Sequence, residues 1–104
     1  MSAYPRKLVG ETWWEDDKTQ LKFKSFVLTS MSFGFAIHSG GSLYEGTLWK
    51  VDEKSFRGEI KRDRSFSFSA HCRLDEGEGG CTLTGRWLEG AARDHEWHAT
   101  LVDE

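Results

Sequence analysis

Four histidines and two cysteines are the side chains best suited to chemistry in this chain, and their spacing decides what they can do. In Asp94-His95-Glu96-Trp97-His98 the two imidazoles stand three apart. A helix would put them on one face, but a strand sends positions i and i+3 to opposite sides. The segment also lacks the His-Glu-x-x-His pattern of a zinc helix. No metal is therefore expected. His71 and Cys72 are adjacent, so on a strand they too diverge and cannot form a nucleophile–base pair. No catalytic residue is assigned. Cys72 and Cys81 flank the Asp75–Gly80 hairpin and lack Cys-x-x-Cys spacing; they are expected to pair across the ladder as two small buried hydrophobes.

The other candidates suit binding better than catalysis. Trp13, Trp87 and Trp97 fall on mainly apolar strand faces, whereas Trp14 and Trp49 fall in the opposite or a mixed phase. Tryptophan combines a large apolar area with one donor, which fits a pocket wall as well as a core. Trp13, Phe33, Tyr44, Trp87 and Trp97 are the expected lining of a cavity, with His38 and Arg86 orienting a ligand. Basic residues gather at Lys50, Lys54, Arg57, Lys61, Arg62 and Arg64. Asp52, Glu53, Glu59 and Asp63 are interspersed, so a solvated face with cross-strand ion pairs is expected. Gly40-Gly41 and the glycines of 77–80 lack the lysine and helix of a phosphate loop and read as hairpin turns. No cofactor is expected.

The elements that must position these residues are strands. Apolar residues alternate at 31–38, 65–74 and 81–88, and more faintly at 7–14, 20–28, 43–51, 54–62 and 93–102. Short Gly-, Asp- and Ser-bearing turns separate them, which implies antiparallel neighbours, since a parallel crossover needs about a dozen residues or more. Residues 89–96 could form one helical turn. A weak repeat places a small residue between two apolar ones: Tyr44-x-Gly46-x-Leu48, Phe56-x-Gly58-x-Ile60, Phe68-x-Ala70-x-Cys72 and Leu83-x-Gly85-x-Trp87. Small residues at mid-strand mark sharp bends. The predicted fold is all-β: a single domain over 1–104, an eight-stranded antiparallel up-and-down barrel with little or no helix. An open sandwich is the alternative.

Composition limits the partners. The chain has 104 residues, with 14 Lys+Arg against 17 Asp+Glu and a formal charge of −3. Proteins that neutralise phosphates carry a basic excess, so nucleic acid is not an expected partner. No eighteen-residue apolar run is present, so no membrane partner is expected. The N-terminal residues show no secretory apolar core, which leads to a cytoplasmic expectation with reduced thiols, a mature secreted chain being the alternative.

Three stretches resemble the avidin–streptavidin family of eight-stranded barrels: Gly10-Glu-Thr12-Trp13-Trp14, Leu83-Thr84-Gly85-Arg86, and Trp87-Leu88 followed by Trp97-x-x-Thr100-Leu101-Val102. The resemblance implies a barrel whose mouth takes a small ligand, with Trp87 as a pocket wall. It further implies that Trp97 reaches into a neighbouring subunit's site, hence a homo-oligomer. The chain departs from the family in having no asparagine, the first-strand contact to biotin, and in carrying Asp103 close behind Val102. The wider calycin-like group of barrels describes it equally well. The leading expectation is a non-catalytic binder of a small, partly apolar molecule. The alternatives are an interaction module with a filled core and an oligomer interface through outward aromatics, and a small barrel enzyme using His–carboxylate chemistry.

Overall fold

In the computed structural model, which describes residues 4–15, 17–89 and 93–104 (at 17–19, 89, 93 and 94 the backbone alone), every regular element is a strand. They are β1 (Arg6–Trp14), β2 (Asp17–Lys22), β3 (Ser25–Leu28), β4 (Ser32–Ser39), β5 (Ser42–Lys50), β6 (Ser55–Arg62), β7 (Phe66–Gly77), β8 (Gly80–Glu89) and β9 (Arg93–Asp103). From β3 to β9 each strand pairs antiparallel with the next, and β1 pairs with β2 and β3 on one side and β9 on the other. β2 and β3 share one stave of the wall, so the sheet closes as an eight-stranded up-and-down barrel. Closure runs from Leu8 opposite Asp103 to Trp14 opposite Trp97.

The stave read as one strand over 20–28 is broken for a reason visible in its side chains. Phe23, Phe26 and Leu28 are buried and Leu21 packs partly against the core. The inward phase therefore slips by one residue between Phe23 and Phe26. A strand keeps side chains alternating strictly, so the slip requires an irregular step there. The amides of Phe23 and Lys24 accordingly bond to different strands, at Gly10 O (3.0 Å) and Ala36 O (2.8 Å).

Turn chemistry sets the hairpins. Gly40 and Gly41 have φ of 59° and 82°, which suits the two-residue loop between Ser39 and its partner Ser42. Residues 90–92, within the stretch where one helical turn was expected, lie outside the described residues, and from Arg93 the chain is strand. Mid-strand glycines mark the corners. A Cβ on Gly58 would overlap the Thr47 carbonyl oxygen, and one on Gly85 the His71 carbonyl oxygen. The wall bends so sharply there that an inward side chain would strike the neighbouring backbone.

Inward positions are mainly apolar, with Phe33, Leu48, Ile60 and Trp97 fully buried, while Glu45, Glu59, Lys61, Arg73, Thr82 and Arg86 face out. This apolar-in, polar-out pattern is the reverse of a porin-type wall. In the basic stretch Arg64 lies 3.8 Å from Glu45 and Lys54 3.3 Å from Asp75, whereas the interspersed Asp52 and Asp63 accept the backbone N–H groups of Ser55 and Leu43.

Candidate functional site

The two ends of the barrel differ. At the end holding the N-terminal approach to β1, Tyr4 packs against the core and donates its hydroxyl to Glu76 (2.9 Å). Arg6 forks onto Asp103 through Nε and Nη2, both at 3.1 Å, and reaches Glu76 with Nη1 at 3.1 Å. Below them Phe26 and Phe33 stack at 4.9 Å, and Phe56 meets Phe33 edge-on at 5.1 Å. That half of the interior is packed with rings.

The other end carries the β1–β2, β4–β5, β6–β7 and β8–β9 connections, and inside it lies a cup of aromatic side chains. Trp87 is its hub. Trp14 meets it edge-on at 4.7 Å, Tyr44 lies at 5.7 Å and Phe68 stacks at 6.4 Å, while Trp97 forms the floor at 5.6 Å. Trp14, Tyr44 and Phe68 are only partly buried, so the cup borders solvent. Arg62, the cross-strand partner of Tyr44, holds its guanidinium over Phe66 (4.6 Å) and Phe68 (5.9 Å). His95 sits opposite Trp87 in the β8–β9 ladder and so shares its face.

Two indoles in this cup are treated differently. Trp97 Nε1 donates to Thr12 Oγ1 (2.6 Å), which in turn donates to the His98 carbonyl (2.7 Å). Trp87 Nε1 is shielded from solvent and has no hydrogen-bond partner. A buried indole N–H normally finds one, and leaving such a group unpaired costs about 1–3 kcal/mol.

The seven expected ligand contacts divide between two faces of the wall. Phe33, Tyr44, Trp87 and Trp97 are inside, with Phe33 deep in the packed half. Trp13, His38 and Arg86 are outside: Trp13 stacks on His98 at 5.7 Å, His38 Nε2 lies 3.4 Å from Lys24 Nζ, and Arg86 is exposed. The phases of Trp13 and Trp14 are thus the reverse of those expected. β1 is apolar on both faces, with Leu8 and Trp14 inward and Val9 and Trp13 outward, and Gly10 and Thr12 fill the inward places between. Trp97 is another correction. Its 0% exposure and its bond to Thr12 make it part of its own barrel's floor, not a residue extended toward a neighbour.

Arg62, Trp14 and Phe68 were missed as cup residues. Arg62 could have been found by continuing the Phe56, Gly58, Ile60 alternation one step further. His71 and Cys72 do point to opposite faces. The cysteines both face inward and are free, but Cys72 pairs with Gly85 and Cys81 with Glu76. That register sets them four residues, roughly 13 Å, apart along the wall, so they are neither in contact nor able to bridge. The tight turn at 78–79, between the paired Gly77 and Gly80, causes the offset.

No protein-family model, no curated protein and no solved structure matches this chain.

Proposed function

We propose that this protein is a non-catalytic binder that takes a small, partly apolar molecule at the aromatic cup. The observation that carries the reading is the unpaired Trp87 N–H within a cluster of partly exposed rings. A flat ligand entering between Tyr44, Phe68 and Trp14 would bury ring surface, and an acceptor on it would satisfy the indole. Arg62 at the rim favours a carboxylate or other anionic substituent. Of the contacts implied by the resemblance to avidin–streptavidin barrels, this reading keeps Trp87 as a wall and drops Trp97 as an inter-subunit contact.

The test is a tryptophan-fluorescence titration of the full chain with a panel of aromatic carboxylates and flat heterocycles. Saturable quenching by at least one of them is expected, weakened at least tenfold by Trp87→Phe in a variant that keeps its far-ultraviolet spectrum. A flat response across the panel, or binding indifferent to that substitution, would sink the idea.

A second reading has one observation in its favour. Trp49 is 58% exposed on the outer wall, beside a shallow groove of about 690 Å³ that also involves Thr47, Gly58 and Lys61. Under this reading the groove pairs with another copy of the chain, and Trp49→Ala would convert a dimer in light scattering to a monomer without unfolding it.

A further inference from the structure

The geometry points to a binding site for a first-row divalent metal ion on the outer wall of the barrel, formed by Glu15, Glu96 and His98. Glu96 and His98 are two apart on β9 and share its outward face, because Trp97 and Ala99 between and beyond them are buried inside. Glu15 follows β1 directly and donates its backbone N–H to the Glu96 carbonyl at 3.0 Å, which fixes the third side chain beside the other two. One ligand atom from each of the three lies within 4.8 Å of the others.

A second observation concerns His98 alone. Its Nε2 is shielded from solvent and makes no hydrogen bond, although Glu15 Oε2 stands 3.4 Å away and Glu96 Oε1 4.0 Å away. The groups are close, but they are not aligned on one another. An unused imidazole nitrogen at such a place is costly. Bonds of about 2.0–2.1 Å to a tetrahedral zinc put neighbouring ligand atoms about 3.3 Å apart, close to the His98–Glu15 separation. The ring is also restrained, since Trp13 stacks on it at 5.7 Å with planes 16° apart.

The donor set selects the metal class. One imidazole and two carboxylates suit zinc and its first-row neighbours, whereas calcium and magnesium prefer oxygen throughout. The two carboxylates match the charge of a divalent ion. Arg86 is opposite Glu96 in the ladder, and Arg57 and Arg73 line the same groove as Glu96, so an ion there would compete with cationic neighbours for that carboxylate. Three protein ligands leave room for water to complete the shell. This site is on the outside of the wall and does not rest on the cup reading.

The test uses the full chain after treatment with chelator. Cobalt(II) is added first and its visible absorption followed, and zinc(II) is then titrated in competition. One ion per chain is expected, with the intense bands of a low-coordinate cobalt site. His98→Gln and Glu96→Gln should each weaken binding at least tenfold, while His38→Ala, on an exposed histidine of β4, which pairs with neither β1 nor β9, should not. Ring resonances provide a check that needs no variant: on zinc addition to the unmodified chain those of His98 should move and those of His38 should stay. Saturation only above about 0.1 mM, an equal loss in His38→Ala, or immobile His98 resonances would each overturn the site and leave Glu15–His98 as a surface ion pair.

Discussion

Single side chains inside this barrel carry separate tasks, and the Thr12 hydroxyl has the most demanding one. It accepts from Trp97 and donates to the His98 carbonyl in a fully buried place. Thr12→Val keeps the shape but orphans the indole N–H, so a loss of about 2 kcal/mol in urea unfolding is expected, with Thr12→Ser losing much less. The thiols give a pH prediction. Burial pushes Cys72 up to about 12 from 9.0, and Cys81 is raised by the same cause. The unfolded chain therefore releases these protons at lower pH than the folded one. Their contribution to stability is complete below pH 9 and is lost as pH rises toward 12. In the folded state at pH 8 neither thiol should react with a disulfide reagent, and both should react in denaturant. At this scale the sequence was only partly legible. Which face a residue occupies follows from alternation, so Trp87 and Tyr44 could be assigned correctly, but Trp13 and Trp14 could not, because adjacent tryptophans satisfy either phase. The metal-ligand trio escaped notice because attention to His95 and His98 tests a spacing of three, while the informative pair is Glu96 and His98, two apart. Glu15 joins them only through the pairing of β1 with β9.

At the level of elements, the glycines divide into two kinds with different consequences. Gly40 is in a turn at φ 59° with open space around its Cα hydrogens, so an added methyl group meets only backbone strain. Gly40→Ala should cost about 1 kcal/mol. Gly58 is at a corner where an added methyl would run into the backbone of β5 at Thr47 and Leu48. Gly58→Ala should cost more than about 3 kcal/mol or abolish folding, read from thermal unfolding followed by circular dichroism. The repeat of small residues between apolar ones thus conveyed real geometry, since a bend that excludes Cβ leaves a mark in composition. Strands, turns and their antiparallel order were legible for the same reason: a two-residue period and Gly-bearing loops are local properties. The break between β2 and β3 was not read, since 20–28 was expected as one strand, although the slip from Leu21 and Phe23 to Phe26 and Leu28 marks it. The Cys72–Cys81 offset was harder to see, since it depends on which two residues of a glycine-rich stretch make the turn.

For the whole molecule, the seam between β1 and β9 is what turns a meander into a barrel. Its lower end is fastened by Arg6, largely buried, which binds Asp103 on β9 and Glu76 on β7 together. Arg6→Ala would leave both carboxylates without this partner; a loss of about 2 kcal/mol is expected, together with earlier amide exchange at Leu8 and Val102 than elsewhere in the wall. Closure was inferred from the count of strands and the spacing of bends, while the division of the interior into a fully packed half and a partly exposed aromatic cluster was not. Filling depends on how rings from distant strands meet across the interior, and no local pattern encodes that.

The same seam has a consequence for how the chain is made. One edge of β1 pairs with β2 and β3, but the other pairs with the barrel's last strand, so a ribosome has delivered every other strand before that edge can be covered. Until then the growing sheet exposes two unpaired edges and an interior rich in phenylalanine and tryptophan. Pairing between segments so far apart in sequence places folding in the slow range, about milliseconds to seconds. For that interval the nascent chain is a natural client for whatever cellular factors shield open β-sheets, and its yield on expression should depend on them more than its final stability would suggest.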